Sequence, residues 1–145
     1  RWFGSDNDTV VIFAVKMSTI YQQTDSFMEL LDLTRHESEK VRKEVIIAIG
    51  EMQMKEGIPK LLSIYSAETY NNKIQILKAL QRIPDESEIG FLVEKAKEED
   101  FDIQLNALKV LNNIGFKGQQ IIEELAKGQD VTFNEKIKHV KDKRI

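Results

Sequence analysis

Residues that can cap the N-terminus of a helix recur along this chain at an almost constant interval. They are Asn7, Ser38, Thr69, Asp100 and Asp130, which are separated by 31, 31, 31 and 30 residues. A side chain at this position accepts a hydrogen bond from a free N–H group of the first helical turn, so each of them marks the start of a helix. The chain is therefore predicted to be a helical repeat protein with a period of about 31 residues.

Apolar residues repeat at the same interval and follow the period of a helix. Three columns lie seven, ten and fourteen residues after each cap, which are spacings that return to one face of a helix. Their members are Ala14, Val45, Ile76 and Ala107; Met17, Ala48, Ala79 and Val110; and Tyr21, Met52, Ile83 and Ile114. We expect all three columns to point into the core.

A second apolar set follows each first helix after a short turn and predicts a second, shorter amphipathic helix. Its columns are Phe27, Ile58 and Ile89; Leu30, Leu61 and Leu92; and Leu31, Leu62 and Val93. Before the third of these helices, Asp85 and Glu88 fit a capping box. In the fourth copy the pattern resumes at Ile121 and Leu125 only after a one-residue insertion, which we place in residues 116–118.

Each repeat is thus predicted to be a hairpin of two helices. The expected hairpins are 7–21 with 25–35, 38–52 with 56–66, 69–83 with 86–98, and 100–114 with 118–127. The corresponding repeats and a terminal helix cover about 7–37, 38–68, 69–99, 100–129 and 130–143. Because one hairpin cannot bury its own apolar face, the copies must stack. This predicts an all-α fold, an α-solenoid of about four hairpins plus a C-terminal helix, in a single domain over residues 1–145.

The segment SEKVRKEVIIAIGEM, followed by GIPKLLSIY, resembles a HEAT repeat of the short type seen in HEAT-like repeats of the phycobilin-lyase type. It contains the family's Val-Arg pair at Val41 and Arg42, and the resemblance spans about residues 7–127. At the position of the arginine, the other copies carry Val11, Lys73 and Gln104. The resemblance implies a HEAT/armadillo-like architecture and a tendency to bind other proteins, and it implies no chemistry.

The chain lacks the residue patterns on which most catalytic sites depend. It contains no cysteine, only two histidines and no glycine-rich phosphate loop, so nucleophilic and phosphoryl-transfer chemistry are not predicted. His36 and Glu37 are potential metal ligands, but one repeat later the pair becomes Ala67 and Glu68. We therefore predict no enzymatic activity, no metal and no cofactor.

The C-terminal residues provide the first alternative function. Residues 130–145 carry five basic and three acidic side chains, although the whole chain has a net charge of −3. A basic helix could contact nucleic acid or acidic lipid heads, but no aromatic residue lies between the lysines to stack on bases. A second alternative, taken from the lyase resemblance, is a small-ligand or lyase-type module, which needs an apolar pocket.

Our main hypothesis is a protein-interaction scaffold that binds another protein, or another part of a parent chain, through its second helices. The residues expected to point outward on these helices are Glu29, Asp32, Arg35, Lys60, Ser63, Tyr65, Lys95 and Lys97. Tyr65 is the expected anchor, because aromatic side chains dominate interface energies.

The N-terminal end presents apolar side chains where later copies carry polar ones. Val11 and Phe13 stand at positions that hold charged residues in the second copy, although a terminal repeat needs a polar outer face. Either Trp2 and Phe3 fold back over this patch, or a partner protein, a nearby membrane or a preceding segment covers it. Because the chain begins at Arg1 beside two aromatic residues, we expect a fragment of a longer protein, for example a membrane-anchored bacterial one.

Overall fold

The protein is all-α in its computed structural model, which describes residues 2–98, 100–127 and 131–142. Within these residues the chain forms helices and no strand, and the predicted all-α class is confirmed. The α-helices are α1 (Asp8–Ile20), α2 (Phe27–Leu33), α3 (Glu39–Glu51), α4 (Ile58–Ile64), α5 (Tyr70–Arg82), α6 (Ile89–Ala96), α7 (Phe101–Asn113), α8 (Phe116–Ala126) and α9 (Val131–Asp142). Short 3-10 turns precede three of the second helices at Thr24–Ser26, Lys55–Gly57 and Glu86–Glu88.

The predicted caps begin the first helix of each described repeat. The side chains of Asn7, Ser38, Thr69 and Asp100 each accept a hydrogen bond from a backbone N–H group in the first turn of α1, α3, α5 and α7. Each of these helices is 13 residues long, so the predicted period is confirmed for four copies. The fifth predicted cap, Asp130, lies outside the described residues.

The contacts divide the chain into two compact units, Arg1–Ile83 and Pro84–Ile145. In the first unit, α3 lies between α1 and α5 and also contacts α2. In the second unit, α7 packs against α6, α8 and α9. The helix at the centre of each unit, α3 or α7, is thus the first helix of a repeat. The single domain over residues 1–145 stays a prediction.

Most members of the predicted inward columns are buried in the cores of the two units. Their buried members are Ala14, Val45, Ala48, Met52, Ile76, Ala79, Ile83, Ala107 and Val110. Tyr21 is the clear exception, because its side chain is 68% exposed. It belongs to the first copy, and among the described residues no helix packs on α1 from the side opposite α3. The expectation that Tyr21 points into the core was therefore wrong.

The fourth copy is one residue shorter than the others. The fully buried column of the second helices is Leu30, Leu61, Leu92 and Ile122, with spacings of 31, 31 and 30 residues. The predicted insertion in residues 116–118 was therefore wrong. Gly115 adopts a φ of 80°, a conformation that glycine reaches without strain, and the chain enters α8 directly without a preceding 3-10 turn.

Candidate binding surfaces

An open groove lies at the N-terminal end of the first unit, and we call it the N-terminal groove. It has a volume of about 740 Å³. Its lining residues are Trp2, Phe3, Phe13, Ala14, Met17, Ser18, Tyr21 and Gln23. None of these side chains carries a charge, and six of the eight are apolar or aromatic. The groove is therefore suited to an uncharged, largely apolar occupant.

Aromatic rings form the rim of the N-terminal groove. The 3-10 turn Trp2–Gly4 packs against α1 and brings the ring centroid of Trp2 to 5.8 Å from that of Phe13, at an angle of 50°. The chain does fold back here, as one of the sequence alternatives proposed. However, Trp2 and Phe13 remain 53% and 50% exposed, so this contact does not cover the apolar patch.

Val11 does not belong to the N-terminal groove, and its expected exposure was wrong. Its side chain is fully buried in α1. Val11 occupies the column of Arg42 and Gln104, whose side chains bond to backbone carbonyls nearby in the chain. Arg42 Nη1 donates to the carbonyl of His36 at 2.8 Å, and Gln104 Nε2 donates to the carbonyl of Ala96 at 2.8 Å. Polar residues in this column satisfy backbone groups, so they do not indicate a solvent-facing surface.

A smaller polar recess of about 340 Å³ surrounds Arg42. Arg42 Nε and Nη2 donate to the carboxylate of Glu68 at 2.9 and 3.3 Å, and Nη1 also donates to the carbonyl of Glu37 at 3.1 Å. The Glu68 carboxylate accepts further bonds from Thr69 N and Asn72 Nδ2 at 3.0 and 3.3 Å. The charges of Arg42 and Glu68 are therefore engaged in joining the end of the second repeat to the start of the third.

Replacing Arg42 with alanine is expected to lower the free energy of unfolding by about 2 kcal/mol, because it leaves a buried carboxylate without its counter-charge. The side chain of Glu68 is only 3% exposed, so water cannot replace the guanidinium. Urea denaturation would measure the change. The control is Arg82→Ala, which removes an exposed arginine from the end of α5. Equal losses for the two variants would contradict a structural role for the Arg42–Glu68 pair.

Of the two potential metal ligands between α2 and α3, His36 bonds to the backbone. His36 Nδ1 accepts a hydrogen bond from the N–H group of Ser38 at 3.0 Å. No group of three His, Cys, Asp or Glu side chains within the described ranges is placed to hold a metal ion.

The residues of the predicted second-helix surface belong to both compact units. Five of its members are exposed, namely Glu29, Asp32, Arg35, Ser63 and Lys97. Lys60 and Lys95 are half-buried, and both Lys95 and Lys97 belong to the second unit. The eighth member, Tyr65, is buried. The exposed positions of α2 and α4 are therefore the part of this surface that stays a prediction.

Tyr65 is the eighth member, and its predicted role as an exposed anchor was wrong. Its side chain is only 3% exposed, and the Nζ atom of Lys73 lies 5.4 Å from the centroid of its ring. The equivalent residues of the neighbouring copies, Thr34 and Ala96, are also buried. This column lies within the repeats, so an aromatic side chain here is part of the packing.

The basic C-terminal segment is described only in part. Lys138 and Lys141 are exposed, and the Nζ atom of Lys141 lies 3.5 Å from a carboxylate oxygen of Glu123. Residues 128–130 and 143–145 lie outside the described residues. Among the helices that the structure describes, none is long and apolar enough to cross a membrane.

The chain matches the model of a known protein family. A family model for HEAT repeats matches residues 27–112, which is more than half of the chain. The match does not single out the phycobilin-lyase type, which stays a prediction. A search of curated proteins finds no match. All residues that line the N-terminal groove precede the matched segment.

Proposed function

The chain belongs to the HEAT-repeat family, and we propose that it acts as a protein-interaction scaffold without catalysis of its own. Proteins built from such repeats generally serve as interaction scaffolds. We assign the main contact surface to the N-terminal groove rather than to the second helices. This assignment rests on one observation, which is the exposure of aromatic rings around an uncharged concave surface.

Exposed aromatic rings at a concave surface are typical of binding sites. Soluble proteins rarely leave large contiguous apolar patches open to water, and tryptophan and tyrosine are enriched among the residues that dominate interface energies. Trp2, Phe13 and Tyr21 are each at least half exposed and line the same groove. The lack of charged lining residues disfavours nucleic acid and anionic small ligands as occupants.

Site-specific photo-crosslinking would test this proposal. We would place a photoreactive phenylalanine analogue at position 13 of the expressed chain and, as the matched control, at position 116. Phe116 is 75% exposed on α8 and lies outside the groove. We expect a defined protein adduct from position 13 and none from position 116. Protein adducts of equal yield from both positions, or none from position 13, would contradict the proposal.

A further inference from the structure

The face of α1 that lines the N-terminal groove has a structural equivalent in α3. In the first unit, a crevice between α1 and α3 is lined on the α3 side by Glu44, Ile47, Ala48 and Glu51. The residues that precede these by one repeat are Phe13, Lys16, Met17 and Ile20. Phe13 and Met17 line the groove, and Ile20 is 66% exposed. The equivalent surface of α1 is thus open to the groove at Phe13 and Met17, whereas Lys16 and Ile20 also line the crevice between α1 and α3.

The same interface is repeated between α3 and α5. A Cβ atom at Gly50 would lie only 2.8 Å from the Cα atom of Ala79, so the two helices approach closely at this point. One repeat earlier, the corresponding residues are Thr19 and Ala48, and both line the crevice between α1 and α3. The contact between first helices therefore follows the repeat register. The side of α1 that lines the N-terminal groove presents the surface for a further contact of this type.

We propose that the N-terminal groove receives an α-helix of a partner protein, which docks on α1 as α1 docks on α3. This inference rests on the proposed function, since it specifies the structure of the partner at the same site. Continuity with the contacts of α1 with α3, and of α3 with α5, fixes both the position and the type of the occupant. An amphipathic helix in an apolar groove is also a recurrent mode of protein recognition.

The surroundings of Lys16 determine one feature of the docking helix. In the crevice between α1 and α3, Lys16 shares the space with Glu44 and Glu51. On α1, the positions of these carboxylates are taken by Phe13 and Ile20. A lysine docked there would find no counter-charge, because no residue that lines the groove is charged. The docking helix therefore carries an apolar side chain at the position equivalent to Lys16.

A second feature follows from the size of Met17. Helices α3 and α5 carry Ala48 and Ala79 at this position, and at Ala79 the preceding helix approaches closely. Methionine occupies more of the space, so the docking helix needs a small side chain at the position equivalent to Thr19. A helix with a bulky residue there should bind worse, although it is more hydrophobic.

A second copy of the chain is a poor occupant of the groove. In a head-to-tail arrangement, α9 would dock on α1 of the next molecule. At the positions equivalent to Val15 and Lys16, the sequence of α9 carries Lys138 and His139. These polar residues do not match the apolar groove, so the structure favours a different protein.

A stapled helical peptide would test the inference with the full chain. The peptide contains residues 7–21 with Lys16→Leu, and with Phe13→Glu and Met17→Glu so that it cannot dock on itself. Trp2 is the only tryptophan of the chain and lines the groove, so its emission reports occupancy directly. We expect a blue shift of the Trp2 emission that saturates with peptide concentration. The affinity obtained from this titration should fall at least tenfold with Phe13→Glu or Tyr21→Glu in the protein and should be retained with Phe116→Glu.

Two matched peptides separate helix docking from general stickiness. The peptide that retains Lys16, and the peptide that adds Thr19→Phe to Lys16→Leu, should each bind at least tenfold more weakly. Equal or tighter binding of the Thr19→Phe peptide would overturn the inference. So would the absence of any shift with the Lys16→Leu peptide, whereas crosslinking from position 13 would then still support the proposed function.

Two further arms identify the other occupants. A Trp2 blue shift with vesicles of phosphatidylcholine and phosphatidylglycerol, but not with the Lys16→Leu peptide, would overturn the inference in favour of a lipid surface. A dimer of the protein alone that dissociates on Phe13→Glu would overturn it in favour of a second copy. Light scattering after size-exclusion chromatography would detect that dimer.

Discussion

Replacing Gly118 with alanine is expected to lower the stability of the second unit by about 3 kcal/mol or more, because the added methyl group meets backbone. A Cβ atom at this position would overlap the carbonyl oxygen of Leu111 and lie 3.1 Å from the Cβ atom of Ile114. The obstacle is the backbone of α7, which cannot move aside as a flexible side chain could. Helix α8 can approach α7 at this point only with glycine.

The matched control for this substitution is Gly90→Ala in α6, which belongs to the same unit. No atom lies within 4 Å of a Cβ built on Gly90, so alanine should stabilise the helix by about 0.5–1 kcal/mol. Denaturant unfolding followed by circular dichroism would measure both effects. A loss for Gly118→Ala no larger than the change for Gly90→Ala would show that α8 can shift without cost.

Glu88 should make the stability of the second unit decrease as pH rises. Its side chain is fully buried, and neither carboxyl oxygen has a hydrogen-bond partner among the described residues. Burial raises the pKa of Glu88 from 4.5 to about 8, the negative charge of Asp85 adds to the rise, and the backbone N–H group of Asp85 opposes it. The folded chain therefore keeps a proton that the unfolded chain loses.

The sign of this effect follows from the two protonation states. Below pH 4.5 Glu88 is protonated in the folded and the unfolded chain, so its titration does not change the free energy of unfolding. Between pH 4.5 and about 8 only the folded chain holds the proton. The free energy of unfolding should fall by roughly 1.4 kcal/mol for each pH unit in this window. The full loss, of about 4–5 kcal/mol, is reached once the pH has passed the folded pKa.

The substitution Glu88→Gln would test this expectation, since it removes the titration with little change in shape. From pH 5 to pH 8.5 the free energy of unfolding of the wild type should fall relative to that of the variant. The size of this relative fall should correspond roughly to the difference between the folded and unfolded pKa of Glu88. Glu94→Gln, which replaces an exposed carboxylate in the adjoining helix α6, is the control and should leave the pH slope unchanged. A wild-type slope that persists in Glu88→Gln would contradict the assignment.

The local features of the fold could be predicted because they depend on short spacings along the chain. The caps at Asn7, Ser38, Thr69 and Asp100 were read from their interval, and each accepts the predicted type of hydrogen bond. The length of the connection between α7 and α8 could not be predicted from such spacings. Ile121 suggested an insertion because it is apolar, but its neighbour Ile122 is the residue that is fully buried.

Side-chain direction was harder to predict where packing between helices decides it. Tyr65 and Val11 lie in columns that mix polar and apolar residues, and such a mixture suits a surface as well as a buried site with satisfied hydrogen bonds. The capping box at Asp85 is a related case. The Asp85 side chain accepts a hydrogen bond from the N–H group of Ser87 at 2.9 Å, and the backbone N–H group of Asp85 acts on the carboxyl group of Glu88, but that carboxyl group is fully buried, which the capping-box pattern did not predict.

The candidate site was recognised only in part. Trp2 and Phe13 were selected because later copies carry polar residues at the position of Phe13. Met17 and Tyr21 were assigned to the core, since their spacings from the cap at Asn7 return to the inward face of the helix. The missing signal is their place in the first copy, where an inward column on α1 has no earlier helix to pack against among the described residues.

The position of the N-terminal groove outside the matched segment has an evolutionary consequence. Residues 27–112 are constrained by the packing between helices, which the protein requires whether or not it binds a partner. The exposed groove residues Trp2, Phe13 and Tyr21 lie before this segment, and their side chains are free to change together with whatever they bind. Related chains should therefore diverge fastest at this end, and paired substitutions in a second protein would be the trace that the partner leaves in genomes.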